Sequence, residues 1–285
     1  MAAAQDAASA VGAAQAAGTS GGKPRRLGII GCGNMGSALG LGVLQDQELA
    51  RSFTLHVFDS HESKVARMVE KGAHGAPSAV ELAKRSDCIL LAVKPYQVPS
   101  LLAEMAPVLA EPGKLLISVA AGLTLEALRS GLGAACPVVR VMPNTLAMAG
   151  EGFFGICFDP GGARISELQQ AAVRKLFAGL GQTLELDESR MNAFTALAGG
   201  GPAYVFYFME ALTQAGVSVG LTRDSSWAIA CSLLKGAAAL AGQTGAHPAV
   251  LREQVCSPGG TSIEAINHLD RTGVRGHIAD AVRSA

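Results

Sequence analysis

The run Arg26-Leu27-Gly28-Ile29-Ile30-Gly31-Cys32-Gly33-Asn34-Met35-Gly36 is a short apolar strand that passes directly into a G-x-G-x-x-G turn. A turn of this kind, between a strand and a helix, binds a dinucleotide. Gly31 permits the sharp bend, Gly33 lets the backbone approach a pyrophosphate with no Cβ in between, and Gly36 lets the following helix lie close to the strand. The phosphates sit on the N-terminus of that helix, where unpaired N–H groups and the positive end of the dipole attract an anion without a Lys or Arg. Glycine-spaced turns also arise by chance, so the surrounding sequence matters. The next apolar run, Phe53–Phe58, ends in Asp59, 23 positions after Gly36, where an acidic side chain would hydrogen-bond an adenosine ribose.

Outward from this turn, apolar runs with strand character alternate with segments of helical period as far as Asp187. The strand-like runs are Leu27–Ile30, Phe53–Phe58, Cys88–Val93, Leu115–Val119, Val138–Val141, Phe153–Phe158 and Thr183–Leu186. The helical segments are Gly36–Gln45, Ser63–Lys71, Ala79–Arg85, Pro99–Leu109, Thr124–Gly131 and Ser166–Ala178. This alternation predicts an α/β unit with a doubly wound parallel sheet. In such a sheet ligands bind beyond the carboxyl ends of the strands, which gathers Asp59-Ser60, the segment from Lys94-Pro95 to Gln97, Ala120-Ala121-Gly122 and Met142-Pro143-Asn144-Thr145 around one crevice. Each of these alone reads more readily as a plain loop. Lys94 fits either a cofactor phosphate or a solvated strand end, while Ala120, Ala121 and Gly122 leave room for a flat nicotinamide.

Bulk composition excludes several classes of function. Of 285 residues 49% are apolar and 16% charged, with 23 basic and 23 acidic side chains. That describes a well-buried chain with no overall field to hold a nucleic acid or an anionic membrane. Six dispersed cysteines without a C-x-x-C pair, and histidines without H-x-x-x-H, predict reduced thiols, no structural metal and a cytoplasmic location. Residues 1–23, rich in Ala, Gly, Gln and Ser, read as a flexible tail and not as a signal peptide. The uncharged stretch Ala193–Met209 contains Gly199-Gly200-Gly201-Pro202, which breaks a membrane-spanning helix, so a helix buried between subunits is expected.

After Asp187 the strand signals stop. Helical patterns cover roughly Ala203–Val219, Arg223–Gln243, Pro248–Val255 and Ser262–Leu269, giving a dinucleotide-binding domain at residues 24–188 and an all-helical domain at 189–285. The density of Ala, Gly and Ser in Ser225–Gly242 allows close helix approach. In a domain of about a hundred residues, that suggests helices interleaved with a partner chain. The sharpest local signal here is Val255-Cys256-Ser257-Pro258-Gly259-Gly260-Thr261-Ser262-Ile263-Glu264. Thr261 and Glu264 make a T-x-x-E capping box, with Pro258-Gly259-Gly260 as the bend before the helix. Alone it is a capped turn. Beside a dinucleotide, the N–H groups of Gly260, Thr261 and Ser262 form a cradle for a substrate carboxylate, with the Ser257 and Ser262 hydroxyls towards the bound ring.

GCGNMG, LAVKP, SVAAGL, RVMPNT, GPAYVF and SPGGTS, in this order from about Leu27 to Ala285, resemble the pyrroline-5-carboxylate reductases, enzymes of the last step of proline biosynthesis. The resemblance implies a Rossmann-type first domain, a helical dimerisation domain, dimers that in many members assemble into decamers, and reduction of a cyclic imine to L-proline with NADPH or NADH. It places cofactor contacts at Ile30, Gly31, Cys32, Gly33, Asn34, Met35, Gly36, Asp59, Ser60, Ala92, Val93, Lys94, Pro95, Ala120, Ala121 and Gly122. Substrate contacts fall at Val255, Gly259, Gly260, Thr261 and Ser262, with Ser262 and Ser257 as the catalytic hydroxyls.

Three departures stand out. Ser262 replaces the usual Thr, Ala198-Gly199-Gly200-Gly201-Pro202-Ala203-Tyr204 replaces S-G-S-G-P-A-Y, and Asp59-Ser60 replaces the Asn-Arg of many members. The last predicts a preference for NADH, because a carboxylate repels a 2′-phosphate. The chain also stops at Ala285, short of the longer final helix common in that family. The alternatives are a reductase of the β-hydroxyacid dehydrogenase kind, whose lysine would be Lys235 although Ala239 stands where its Asn partner belongs, and a non-catalytic dinucleotide sensor.

Overall fold

The computed structural model describes residues 24–132 and 136–285, so the expected tail at 1–23 lies outside the described residues. The chain forms two compact units that divide between Gly199 and Gly200. The first is built on β1 (Arg25–Ile30), β2 (Phe53–Phe58), β3 (His74–Gly75), β4 (Cys88–Leu91), β5 (Leu115–Ser118), β6 (Val138–Met142), β7 (Gly152–Phe158) and β8 (Gly181–Glu185), in the spatial order β3-β2-β1-β4-β5-β6-β7-β8. Strands β1 to β6 pair in parallel. The doubly wound parallel sheet expected from the alternation forms over β1 to β6, and at its far edge β7 pairs antiparallel to β6 and parallel to β8, so the last two strands run against the others. Only residues 143–151 join β6 to β7. That is too short for a crossover, which takes a dozen or more residues to return the chain to the starting edge.

The helices of this unit are α1 (Asn34–Gln45), α2 (Gln47–Ser52), α3 (Glu62–Val69), α4 (Ala79–Arg85), α5 (Val98–Leu109), α6 (Leu125–Ser130), α7 (Glu167–Ala178) and α8 (Met191–Phe194). They cover both faces of the sheet, and the two-residue period of the strands divides the core accordingly. Leu27, Ile29, Leu55 and Val57 pack with Leu39, Val43, Leu49, Leu176 and Phe177 of α1, α2 and α7. Ile30, Ile89 and Leu91 turn to the other face, against Leu82, Leu102, Met105 and Leu128 of α4, α5 and α6. Each such side chain withdrawn fully from water contributes about 1.5–3 kcal/mol. With both faces buried, β1 and β4 are held rigidly, and so is the turn that leaves β1.

The second unit contains α9 (Gly201–Ser218), α10 (Arg223–Thr244), α11 (Pro248–Gln254), α12 (Thr261–Arg271) and α13 (Val274–Ser284). Helices α9 and α10 pack together through Gly216, whose added Cβ would lie 2.5 Å from Ser226 Oγ. Phe206, Tyr207, Trp227, Ile229 and Leu233 on the same two helices remain exposed. The uncharged stretch Ala193–Met209 is not one helix: α8 ends at Phe194, residues 195–199 make a π turn, and α9 begins at Gly201 with Pro202 in its first turn. Among the described residues, no helix is long and apolar enough to cross a membrane.

Candidate active site

The turn between β1 and α1 is tightly boxed in. Gly31 has φ +100°, and a Cβ there would lie 2.6 Å from the Ala92 carbonyl oxygen. A Cβ on Gly36 would collide with the Gly31 carbonyl oxygen and come within 3.1 Å of Ala92 Cβ. At Gly33, by contrast, an added Cβ meets nothing within 4 Å, leaving open the space that a pyrophosphate needs. Gly33 is also the N-cap of α1 and supplies no side-chain oxygen to its first turn. The orphan N–H groups at this twelve-residue helix's start are therefore available to an anion. Gly31 N–H donates to Phe58 O (2.8 Å) and Ser37 Oγ to Cys32 O (2.9 Å), fixing the turn to β2 and to α1.

Asp59 is engaged by the glycine turn itself. Its carboxylate is turned into the protein, with the side chain 8% exposed. Oδ2 accepts from Cys32 N–H (2.8 Å), and Oδ1 from His61 N–H (2.9 Å). The His61 ring nitrogen Nδ1 lies 3.1 Å and Lys64 Nζ 3.5 Å from the same Oδ1. Burial alone would raise its pKa, but the His61 and Cys32 N–H groups, the His61 ring and the Lys64 charge outweigh it and hold the carboxyl below its ordinary value. The expected NADH preference rested on this carboxylate facing the ribose; its hydrogen bonds instead brace the glycine turn against the β2–α3 loop.

The remaining cofactor candidates line up along one edge of the sheet. The register pairs Ile30 with Phe58 and with Leu91, and Leu91 with Ser118. The segments that follow, beginning at Gly31, Asp59, Ala92 and Val119, therefore leave the sheet side by side. Ala92 is small enough to wedge against Gly31 and Gly36. Lys94 is exposed and opens the short turn Pro95–Gln97, its N–H donating to Gln97 Oε1 (3.2 Å). Ala121 and Gly122 are exposed, with Gly122 at φ +77°. Asn144 is buried and structural, its Nδ2 donating to Ala198 O (3.2 Å) and its Oδ1 accepting from Phe153 N–H (3.3 Å).

Two residues absent from the sequence reading also reach this region. A cleft of about 670 Å³ runs from Cys32, Gly33 and Asn34 along α1 to Asp46, and Lys64 and Arg67 of α3 line it. The signal available was their three-residue spacing, which puts both on one face of the helix directly after β2.

In the second unit the bend before α12 differs in detail from the expected capping box. The helix begins at Thr261, so Gly260 is the N-cap and no side chain caps the first turn. The N–H of Gly260 is taken: it donates to Ser257 O (3.0 Å), closing a turn with Pro258 at its second position and Gly259 at φ +64°, the geometry of a type II turn. An added Cβ at Gly260 would lie 2.5 Å from Ser257 Oγ. In the first turn of α12 the N–H groups of Thr261, Ser262 and Ile263 have no protein acceptor among the described residues. Val255, Ser257, Gly259, Thr261 and Ser262 are all exposed.

The first unit thus fits a dinucleotide: a positive-φ glycine turn, an uncapped helix N-terminus and a Cβ-free approach above it. Residues 188–285 match the family model described as pyrroline-5-carboxylate reductase dimerisation, and residues 26–122 one described as NADP oxidoreductase, coenzyme F420-dependent. The chain is 34% identical over 259 residues to the pyrroline-5-carboxylate reductase of Escherichia coli (strain K12), covering 90% of this chain and 94% of that protein. The chain belongs to the pyrroline-5-carboxylate reductase family. Its identity to the Glycine max pyrroline-5-carboxylate reductase is 35% over 259 residues, covering 91% and 93% of the two chains. Plasmodium falciparum pyrroline carboxylate reductase with NADP bound superposes with TM-score 0.80 at 30% identity, over 92% of this chain and 96% of that one. The Coxiella burnetii pyrroline-5-carboxylate reductase superposes with TM-score 0.84 at 28% identity, with the same coverage. As a member of this family the chain is an oxidoreductase with an NADPH- or NADH-binding unit and a helical dimerisation unit.

Proposed function

We propose that the chain reduces 1-pyrroline-5-carboxylate to L-proline with NADPH or NADH, closing proline biosynthesis in the cytoplasm. It works as a homodimer joined through its helical unit, with dimers associating further into decamers. The observation that carries the reading is the presence, in one member of this family, of two glycine-capped helix N-termini with free donors: that of α1 for the cofactor phosphates and that of α12 for the substrate carboxylate. The exposed apolar side chains of α9 and α10 supply the surface that a second copy covers.

When bound, the reduced nicotinamide supplies a hydride to the imine carbon, already a good acceptor once the ring nitrogen is protonated. The protein's task is then largely to hold that carbon about 3–3.5 Å from the donor atom. Thr261 and Ser262 N–H groups grip the carboxylate, helped by the α12 dipole. Gly260 keeps the bend closed on Ser257 and does not itself bind, because its N–H is already spent within the turn. The Ser262 hydroxyl donates to the ring nitrogen or relays its proton. In the helical unit Val255, Ser257 and Gly259 flank these donors, and in the first unit Ala120, Ala121 and Gly122 leave room for the nicotinamide ring. Adding 1-pyrroline-5-carboxylate to the purified protein and NADPH or NADH should lower absorbance at the reduced-nicotinamide band. A protein that binds the dinucleotide and leaves it reduced would instead be a sensor.

A further inference from the structure

We propose that Lys64 and Arg67 receive the 2′-phosphate of NADPH and that this chain discriminates in favour of the phosphorylated cofactor despite the acid that ends β2. The inference rests on the dinucleotide reading of the glycine turn and not on the identity of the imine. The usual objection to a 2′-phosphate here is an acidic side chain facing the ribose. In this molecule both Asp59 oxygens are consumed inside the turn, by the N–H groups of Cys32 and His61, and Asp59 does not line the cleft.

Lys64 and Arg67 do line it, together with Cys32, Gly33 and Asn34 at the start of α1. Lys64 balances Asp59 from 3.5 Å, a loose contact that leaves ammonium donors for a second anion. Arg67 is exposed and makes no ion pair with an acid among the described residues. The acid that lines the cleft is Asp46, and its Oδ1 caps α2 by accepting from Leu49 N–H (2.7 Å). The cleft lining carries two cations, Lys64 and Arg67, against one carboxylate, Asp46, so the lining itself is net positive. A dianionic phosphate gains there, and a bare ribose hydroxyl gains little. The exposed Ser60 hydroxyl, 3.2 Å from the His61 ring nitrogen, stands next to the same loop.

Titration calorimetry with adenosine 2′,5′-bisphosphate and 5′-AMP, which differ only in the 2′-phosphate, isolates this contact without turnover. The bisphosphate should bind the wild type at least tenfold more tightly. Lys64→Gln and Arg67→Gln should each remove roughly tenfold of that advantage, leaving 5′-AMP binding unchanged. Lys64→Glu should invert the preference. Equal or tighter binding of 5′-AMP by the wild type overturns the proposal, as does a bisphosphate advantage that survives both Gln variants. A protein that shows the full bisphosphate pattern and yet fails to reduce 1-pyrroline-5-carboxylate would refute the reductase assignment and leave this one standing.

Discussion

The turn before α1 and the bend before α12 both end on a glycine N-cap, Gly33 and Gly260, but their surroundings differ. Around the first, Ala92, Val93 and the Asp59 carboxylate press in from two neighbouring strand ends. Around the second, an added Cβ at Gly259 meets nothing within 4 Å, and one at Gly260 meets only Ser257. The first site is preorganised by its own unit. The second owes its shape to its local turn, with Pro258 fixing one dihedral angle and Gly259 accepting the left-handed one. Binding energy at the cofactor turn is therefore sensitive to packing, while the substrate bend is sensitive to individual hydrogen bonds.

Gly36→Val is the most severe way to break that contrast. Its side chain has no room against the Gly31 carbonyl, so dinucleotide binding should be lost by fluorescence titration, and the melting temperature should fall by several degrees. Ser262→Ala tests the other side, where about a hundredfold loss of kcat is expected, with NADH and NADPH dissociation constants unchanged. Full activity in that variant would remove the hydroxyl from the mechanism. Gly260→Val should act more mildly, pushing Ser257 aside and raising KM for the imine about tenfold without altering cofactor binding.

The smallest effect expected is at Asp59. Its folded pKa lies below the ordinary 3.8, so the stability it contributes is complete above that value and disappears as pH falls through the lower folded one. Asp59→Asn should therefore cost about 1–2 kcal/mol at pH 7 in denaturant melts, and the gap from wild type should close as the pH drops below about 4. A constant gap at all pH values would mean that the carboxylate charge does nothing for the turn.

The same contrast explains what was legible in the sequence. The β1 turn announces itself because its requirements are local and steric: glycines at fixed spacing, an apolar run before them, and strand ends arriving in register. Strand direction is not written in such runs. Phe153–Phe158 is as apolar as its parallel neighbours, and only the shortness of residues 143–151 betrays the reversal of β7. Strand β3 is two residues long and has no period to detect. Helix α13 carries an apolar stripe at four-residue spacing, Val274, Ile278 and Val282, that the reading of the helical domain left unassigned. At the bend, Thr261 and Glu264 fit a capping box by spacing, but the positive φ of Gly259 and the Ser257–Gly260 turn bring the helix start to Thr261 and leave Gly260 as the cap. The direction of the Asp59 side chain was not legible because it depends on where the Cys32 N–H points, and that is set by a glycine turn 27 residues away in sequence, together with the His61 N–H of its own loop.

The middle residue of the glycine turn gives this reductase a chemically quiet thiol. Cys32 is 2% exposed, and burial first, then the nearby Asp59 charge, push its thiol up to about 11, against the lowering pull of Lys64 and Arg67. At neutral pH only ~1 in 10⁴ of these sulfurs is a thiolate. Burial and a raised pKa together leave little thiolate beside the pyrophosphate seat at neutral pH, so the thiol in the turn is a packing group rather than a nucleophile.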